Sequence, residues 1–217
     1  MSMSSDPLWS TSHLAVRPYG DCGYLIDVAQ APLIPSLFNF LRSDYVQDRR
    51  RPIVDVIPAE RSILVISTLP AHDIIDIIEA WDPSVEQGAP ARIIDIPTRY
   101  NGPDLEEVAR QWNVDIQAVI DIHVATTFTC SFCGFLPGFA YLTGLPQHYA
   151  VRRKATPRTA LSAGSVGLAG AYCGIYPRSS PGGWQILGQT EFEPWRIDRD
   201  PPGQIMPGDK VRFSEIS

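Results

Sequence analysis

Apolar residues change their spacing several times along this chain, and each change marks an element. Residues 14–16 and 22–28 read as extended segments on either side of a turn at 18–21. Leu33, Leu37, Leu41 and Tyr45, with Ile34 and Phe38 beside them, recur every three to four positions. That spacing predicts an amphipathic helix whose first turn accommodates Pro32. A break at 49–52 follows. Residues 53–57 and 63–66 are β-branched apolar runs joined by the turn Pro58-Ala59-Glu60, hence two strands. Ile74, Ile75, Ile78 and Trp81 predict a second helix, and 91–96 a further strand. The order β-α-β-β-α-β is the split pattern of ferredoxin-like units. We therefore expect a polar, disordered tail at 1–12 and a small ferredoxin-like α/β domain at 13–97, with residues 82–90 as a linker inside it.

The remaining residues, 98–217, read differently. Residues 104–112 form a helix with acids in its first turn, where the macrodipole favours them. Asp115, three residues before Ala118, is placed to cap a second helix carrying Val119, Ile120 and His123. From Thr126 onward glycine, proline and aromatic residues interrupt every apolar run, which predicts short strands and tight turns. Closing such strands into a barrel removes exposed sheet edges. The expected fold class is α+β: the ferredoxin-like unit, then a β-barrel.

Composition narrows the function. Net charge is −6 and the basic residues are scattered apart from Arg49-Arg50-Arg51 and Arg152-Arg153-Lys154, so nucleic acid is not the expected partner. No apolar run approaches the roughly 20 residues that span a bilayer, and the N-terminus lacks the basic and apolar regions of a signal peptide. Four cysteines fit free thiols in a reducing compartment, so a cytoplasmic protein is expected. Cys130 and Cys133 form a CxxC pair, but residues three apart on a strand face opposite ways. The expectation is two small buried hydrophobes and no metal.

Candidate chemistry gathers in the glycine-rich stretch. Ala163-Gly164-Ser165-Val166-Gly167 lies one residue from the G-x-S-x-G nucleophile elbow, which would need His123 or His148 as base. No helix is predicted after Ser165, so that reading is set aside. Gly164, Gly167 and Gly170, with Ser180, Gly182 and Gly183, either form a nest of backbone N–H groups for an anion or are simply barrel and hairpin turns. Arg158 would add a bidentate partner for a carboxylate. Phe139, Tyr141, Tyr176 and Trp184 are core aromatics of which some wall the pocket, with Ser165 lining it. His123 is the proton-transfer candidate, although a packing role is the commoner fate of such a histidine.

Gly134-Phe135-Leu136-Pro137-Gly138-Phe139-Ala140-Tyr141-Leu142, Pro157-Arg158, the run from Ala163 to Gly170, Gly174-Ile175-Tyr176-Pro177 and Ser180-Pro181-Gly182-Gly183-Trp184 together resemble the signature of one family. It is the family of 5-oxoprolinase B-type subunits, also labelled allophanate hydrolase subunit 1 and including the kinase inhibitor KipI. The resemblance implies a cyclophilin-like β-barrel after a small α/β domain. It also implies action with a homologous C-type subunit (allophanate hydrolase subunit 2) and a third subunit, opening 5-oxoproline to glutamate with ATP. ATP is the expected cofactor, held by this chain or by a partner subunit. Two other classes share the scaffold: inhibition of a histidine kinase, as by KipI, and the carboxyltransferase part of a urea carboxylase-like system. The chain departs from the family at Ala171-Tyr172-Cys173, Ser162, Gln189 and Glu191, where relatives carry other residues, among them donors for an acidic ligand.

Overall fold

In the computed structural model, which describes residues 6–42, 53–84 and 91–217, the chain parts between Pro90 and Ala91. In the first unit β1 (Trp9–Ser10), β2 (Leu14–Pro18), β3 (Gly23–Val28), β4 (Ile53–Pro58) and β5 (Ser62–Ser67) form an antiparallel sheet in the order β1-β2-β3-β5-β4. Burial alternates along β5, as period-two side chains require: Ile63 and Val65 are buried and their neighbours less so. The buried face packs with α1 (Ile34–Leu41) and α2 (Ala71–Glu79) through Val16, Ile26, Leu37, Leu41, Ile74 and Ile78. Each such side chain contributes about 1.5–3 kcal/mol by leaving water. Pro32 sits in the single 3-10 turn that leads into α1, where its missing N–H is harmless.

Three expectations change here. Within the supposed tail, Trp9 and Ser10 pair with Val16 and Ala15, and the Trp9 indole donates to Glu79 at 2.9 Å. Tyr45, the break at 49–52 and linker residues 85–90 lie outside the described residues. The strand expected to close the ferredoxin-like pattern, β6 (Ile93–Thr98), belongs to the second unit. It runs parallel to β14 (Lys210–Glu215), with Ile96 opposite Phe213. The units therefore divide seven residues earlier than the break expected after residue 97.

The second unit adds α3 (Leu105–Trp112), α4 (Ile116–Ala125), β7 (Thr127–Cys133), β8 (Ala140–Thr143), β9 (Arg158–Leu161), β10 (Ser165–Ala169), β11 (Tyr172–Ile175), β12 (Ser180–Gly182) and β13 (Gln185–Gln189). Seven strands follow the order β13-β10-β11-β8-β7-β14-β6. The two ends of this sheet meet: Arg99, just past β6, and Gln189 exchange backbone hydrogen bonds of 2.8 and 2.9 Å. The sheet is thus a nearly closed barrel. Asn113, in the left-handed region at φ 56°, ends α3, and the Asp115 carboxylate accepts the Ala118 N–H at 2.7 Å to start α4. Helix α3 lies against β13 and α4 against β14. Val108, Val119, Phe128, Leu142, Val166, Leu168 and Val211 fill the interior.

One local irregularity contradicts the strand geometry expected for CxxC. A bulge between Cys130 and Phe132 shifts the β7–β8 register. The extra residue cancels the alternation, so the two thiols approach to 3.8 Å instead of facing opposite ways.

Candidate functional site

Successive residues of β10 and β11 alternate between the barrel interior and a second cluster on the other face of the sheet. Leu168 and Cys173 point inward, while Ala169 and Tyr172 join Phe139, Tyr141, Tyr176, Trp184 and Ile186. The rings meet edge to face: Phe139 lies 5.0 Å from Tyr141, 5.3 Å from Trp184 and 5.4 Å from Tyr176, centroid to centroid. Such geometry sets positive ring edges against negative faces. Glycines make the room. A Cβ on Gly174 would lie 3.0 Å from Phe139, and one on Gly182 would lie 2.4 Å from the Tyr176 hydroxyl. Burial pushes the Tyr176 phenol up to about 12, so it stays protonated. All four aromatic residues expected near a pocket are brought together, as one packed cluster.

Arg158 begins β9, opposite Gly182 on β12. Its guanidinium is not free. Both terminal nitrogens donate to the Asp104 carboxylate, at 2.9 and 2.7 Å, and Lys154 Nζ donates to the same group at 3.0 Å. The Ile186 N–H adds a fourth bond at 2.7 Å, while the Asp104 N–H donates back to the Ile186 carbonyl. Asp104 stands just before α3, yet its side chain makes no cap and turns instead to β13. Burial alone would raise its carboxyl pKa. The Arg158 fork, the Ile186 amide and Lys154 outweigh burial and hold it below the ordinary range.

Of the two readings of the glycine-rich turns, the one as barrel turns fits around β10, where the amides are already paired. Gly164 N–H donates to Tyr176 O, Ser165 N–H to Ser162 O and Gly170 N–H to Val151 O. Gly167 lies within β10, paired on both sides by β11 and β13. Gly164 instead serves a close approach: at φ +79°, a Cβ there would fall 2.1 Å from the Thr190 carbonyl. Ser165 is 7% exposed on β10, and β11 follows it, so no elbow is built. Gly183 accepts Lys154 N–H through its carbonyl, and Ser180 Oγ is buried without a partner among the described residues.

His123 is fully buried on α4, against Phe128 and Phe213. Its Nδ1 lies 2.6 Å from the Tyr100 hydroxyl and its Nε2 3.3 Å from Cys173 Sγ. Burial lowers its pKa to about 3 and raises those of Tyr100 and Cys173, so the whole relay is neutral. Enclosed in the barrel, His123 meets no substrate, which removes it as a proton carrier for an external ligand.

Sequence reading passed over the groups that do line an opening. A cleft of about 1040 Å³ has Asp104 and Gln185 in its wall and Arg110, Arg152, Arg153 and Lys154 around it. Glu107 clamps Arg110 at 2.9 and 2.6 Å, and Lys154 serves Asp104. Among the described residues no carboxylate lies within ion-pairing distance of Arg152 or Arg153, and both are exposed. The backbone of Arg152 is fixed from two sides: Gln111 accepts its N–H and Gln185 Nε2 donates to its carbonyl, each at 2.9 Å. Gln185 Oε1 is buried and unpartnered among the described residues. The arrangement suits a small anion that also carries a donor. The sequence signal was the Arg152-Arg153-Lys154 run itself, read only as an exception to scattered charge.

Comparisons with known proteins agree with this architecture. The chain is 38% identical over 168 residues to a B-type subunit of 5-oxoprolinase from Escherichia coli O157:H7, a match covering 74% of this chain and 77% of that one. It is 44% identical over 129 residues to a protein of the same name from Bacillus subtilis strain 168, covering 58% of this chain but only 54% of the relative. The Kluyveromyces lactis urea amidolyase superposes with a TM-score of 0.69 at 20% identity, over 94% of this chain and 15% of that much longer one, a likeness of fold. A profile of the carboxyltransferase domain, subdomains C and D, matches residues 14–205. The chain therefore belongs to the carboxyltransferase subdomain C and D family.

Proposed function

We propose that this chain is the B-type subunit of a heteromeric, ATP-dependent enzyme that opens a small lactam, with 5-oxoproline as substrate and glutamate as product. The likeness to the Escherichia coli 5-oxoprolinase protein, across about three-quarters of each chain, carries the reading. The cleft supports it chemically. Arg152 and Arg153, without a carboxylate partner among the described residues, offer guanidinium groups for the substrate carboxylate, and Gln185 Oε1 offers an acceptor for the ring N–H. Arg158 acts indirectly, by holding Asp104 and with it the cleft wall. Among the described residues that line the cleft no nucleophile, base and orienter stand together, so in this reading the partner proteins, a homologous C-type subunit and a third subunit, supply the reacting groups and hold ATP.

The test combines the purified chain with those partners, ATP and 5-oxoproline, and measures glutamate. Formation of glutamate that requires all components supports the assignment. If none forms where the Escherichia coli proteins are active, the substrate is wrong.

A further inference from the structure

The bulge in β7 creates a second chemical feature that the proposed reaction does not use. Cys130 is fully buried in the barrel core, and Cys133, at the strand end, is half-buried. Their sulfurs are 3.8 Å apart, in van der Waals contact and within reach of a weak S–H···S hydrogen bond. The backbone around Cys130 is fixed: its N–H donates to Asp209 O and its carbonyl accepts from Gly208, both at 2.8 Å. Cys133 Sγ lies 3.5 Å from the Ile205 carbonyl. A buried thiol beside a reachable one is the pairing that two-step thiol oxidation needs.

We propose that Cys130 and Cys133 form a reversible dithiol–disulfide pair, a modification site closed by a two-electron oxidant of the hydroperoxide class. Cys133 attacks first, being the less buried of the two thiols. The Cys130 thiol donates to it and draws its pKa below the ordinary value, against the opposing effect of burial. The Cys133 thiolate attacks one peroxide oxygen, the O–O bond breaks, and water leaves a sulfenic acid behind. Cys130 sulfur then attacks that sulfur, the S–O bond breaks, and a second water departs. Two thiols and one hydrogen peroxide thus give one disulfide and two waters, with two electrons passing from sulfur to oxygen. A second dithiol reverses the change by exchange.

Closure draws the sulfurs from 3.8 Å to about 2.05 Å. The movement falls where β7 gives way to residues 134–138. Phe135 there is exposed and already sits at φ 68°, in the left-handed region that a bulky residue rarely adopts. Oxidation is therefore expected to displace this segment.

The experiment uses the full chain carrying Cys22→Ser, which removes the one exposed thiol. After hydrogen peroxide, alkylation and trypsin, both cysteines fall in one peptide, since no Lys or Arg lies between Arg110 and Arg152. The expected result is full conversion to a peptide lighter by two hydrogens that takes up no alkylating agent, with both thiols restored by dithiothreitol. In the same background, Cys133→Ser should leave Cys130 unoxidised, and Cys130→Ser should stop at a Cys133 sulfenic acid that dimedone traps. The proposal is overturned if Cys133 proceeds to sulfinic acid while Cys130 still alkylates. It is equally overturned if the peptide stays reduced at a peroxide concentration that fully oxidises free glutathione in the same tube. The peptide with both cysteines intact decides the matter even where a serine variant fails to fold.

Discussion

Asp104 and His123 are both withdrawn from water in the second unit, yet Asp104 keeps its charge while His123 remains neutral. Asp104 has a guanidinium, an ammonium and a backbone amide arranged around it, enough to hold an anion in a poorly solvated place. His123 has a phenol, a thiol and two aromatic rings, none charged, so protonation there is opposed by burial with nothing to compensate it. The first cluster borders a cleft and the second is enclosed. In this barrel a buried ionisable group keeps its charge only where cations and an amide surround it.

The largest expected effect comes from the neutral cluster. Because the His123 pKa is about 3 when folded and 6.5 otherwise, the unfolded chain takes up the proton first as pH falls. Stability is thus full above about pH 6.5 and declines toward about pH 3, by as much as about 5 kcal/mol. Urea unfolding of the wild-type chain and of His123→Gln across that range should show a shallower slope for the variant; parallel curves would refute the neutral relay. Next comes Asp104→Ala, which leaves the Ile186 N–H and two cations without their acceptor. It should lower stability by about 3 kcal/mol, read from the urea midpoint. Gly182→Ala drives a methyl group toward the Tyr176 hydroxyl and Leu161, and about 2 kcal/mol of overpacking is expected in the same measurement. The smallest effect separates the two arginines. Arg153→Ala should raise KM for 5-oxoproline about tenfold, or 1.4 kcal/mol, in the assembled enzyme with the melting temperature unchanged. Arg158→Ala should lower the melting temperature. If Arg153→Ala leaves KM as it was, the cleft is not the carboxylate site.

Local signals were readable in the sequence, and distant pairings were not. The helical spacing of Leu37, Phe38 and Leu41 and the cap at Asp115 depend on neighbours a few residues away, and both elements form where expected. The isoleucine-rich run at residues 91–96 announced a strand but carried no information on which sheet it joins. Its partner, β14, lies 117 residues further on. Arg158 was taken for a ligand-binding group because its partner, 54 residues earlier, looked like an ordinary first-turn acid. Glycines needed for φ and glycines needed to seat a ring leave the same letter, so Gly182, which makes room for Tyr176, was equally readable as part of a nest or of a turn. The CxxC pair failed for a related reason: one inserted residue reverses the facing of everything beyond it.

The parallel ladder between β6 and β14 has a bearing on synthesis. Lys210 to Glu215 pair with Ile93 to Thr98, so the first strand of the second unit waits for a partner made more than a hundred residues later. On the ribosome the intervening strands emerge as a ribbon with an open margin, and the growing chain needs shielding from its neighbours until β14 clears the exit tunnel.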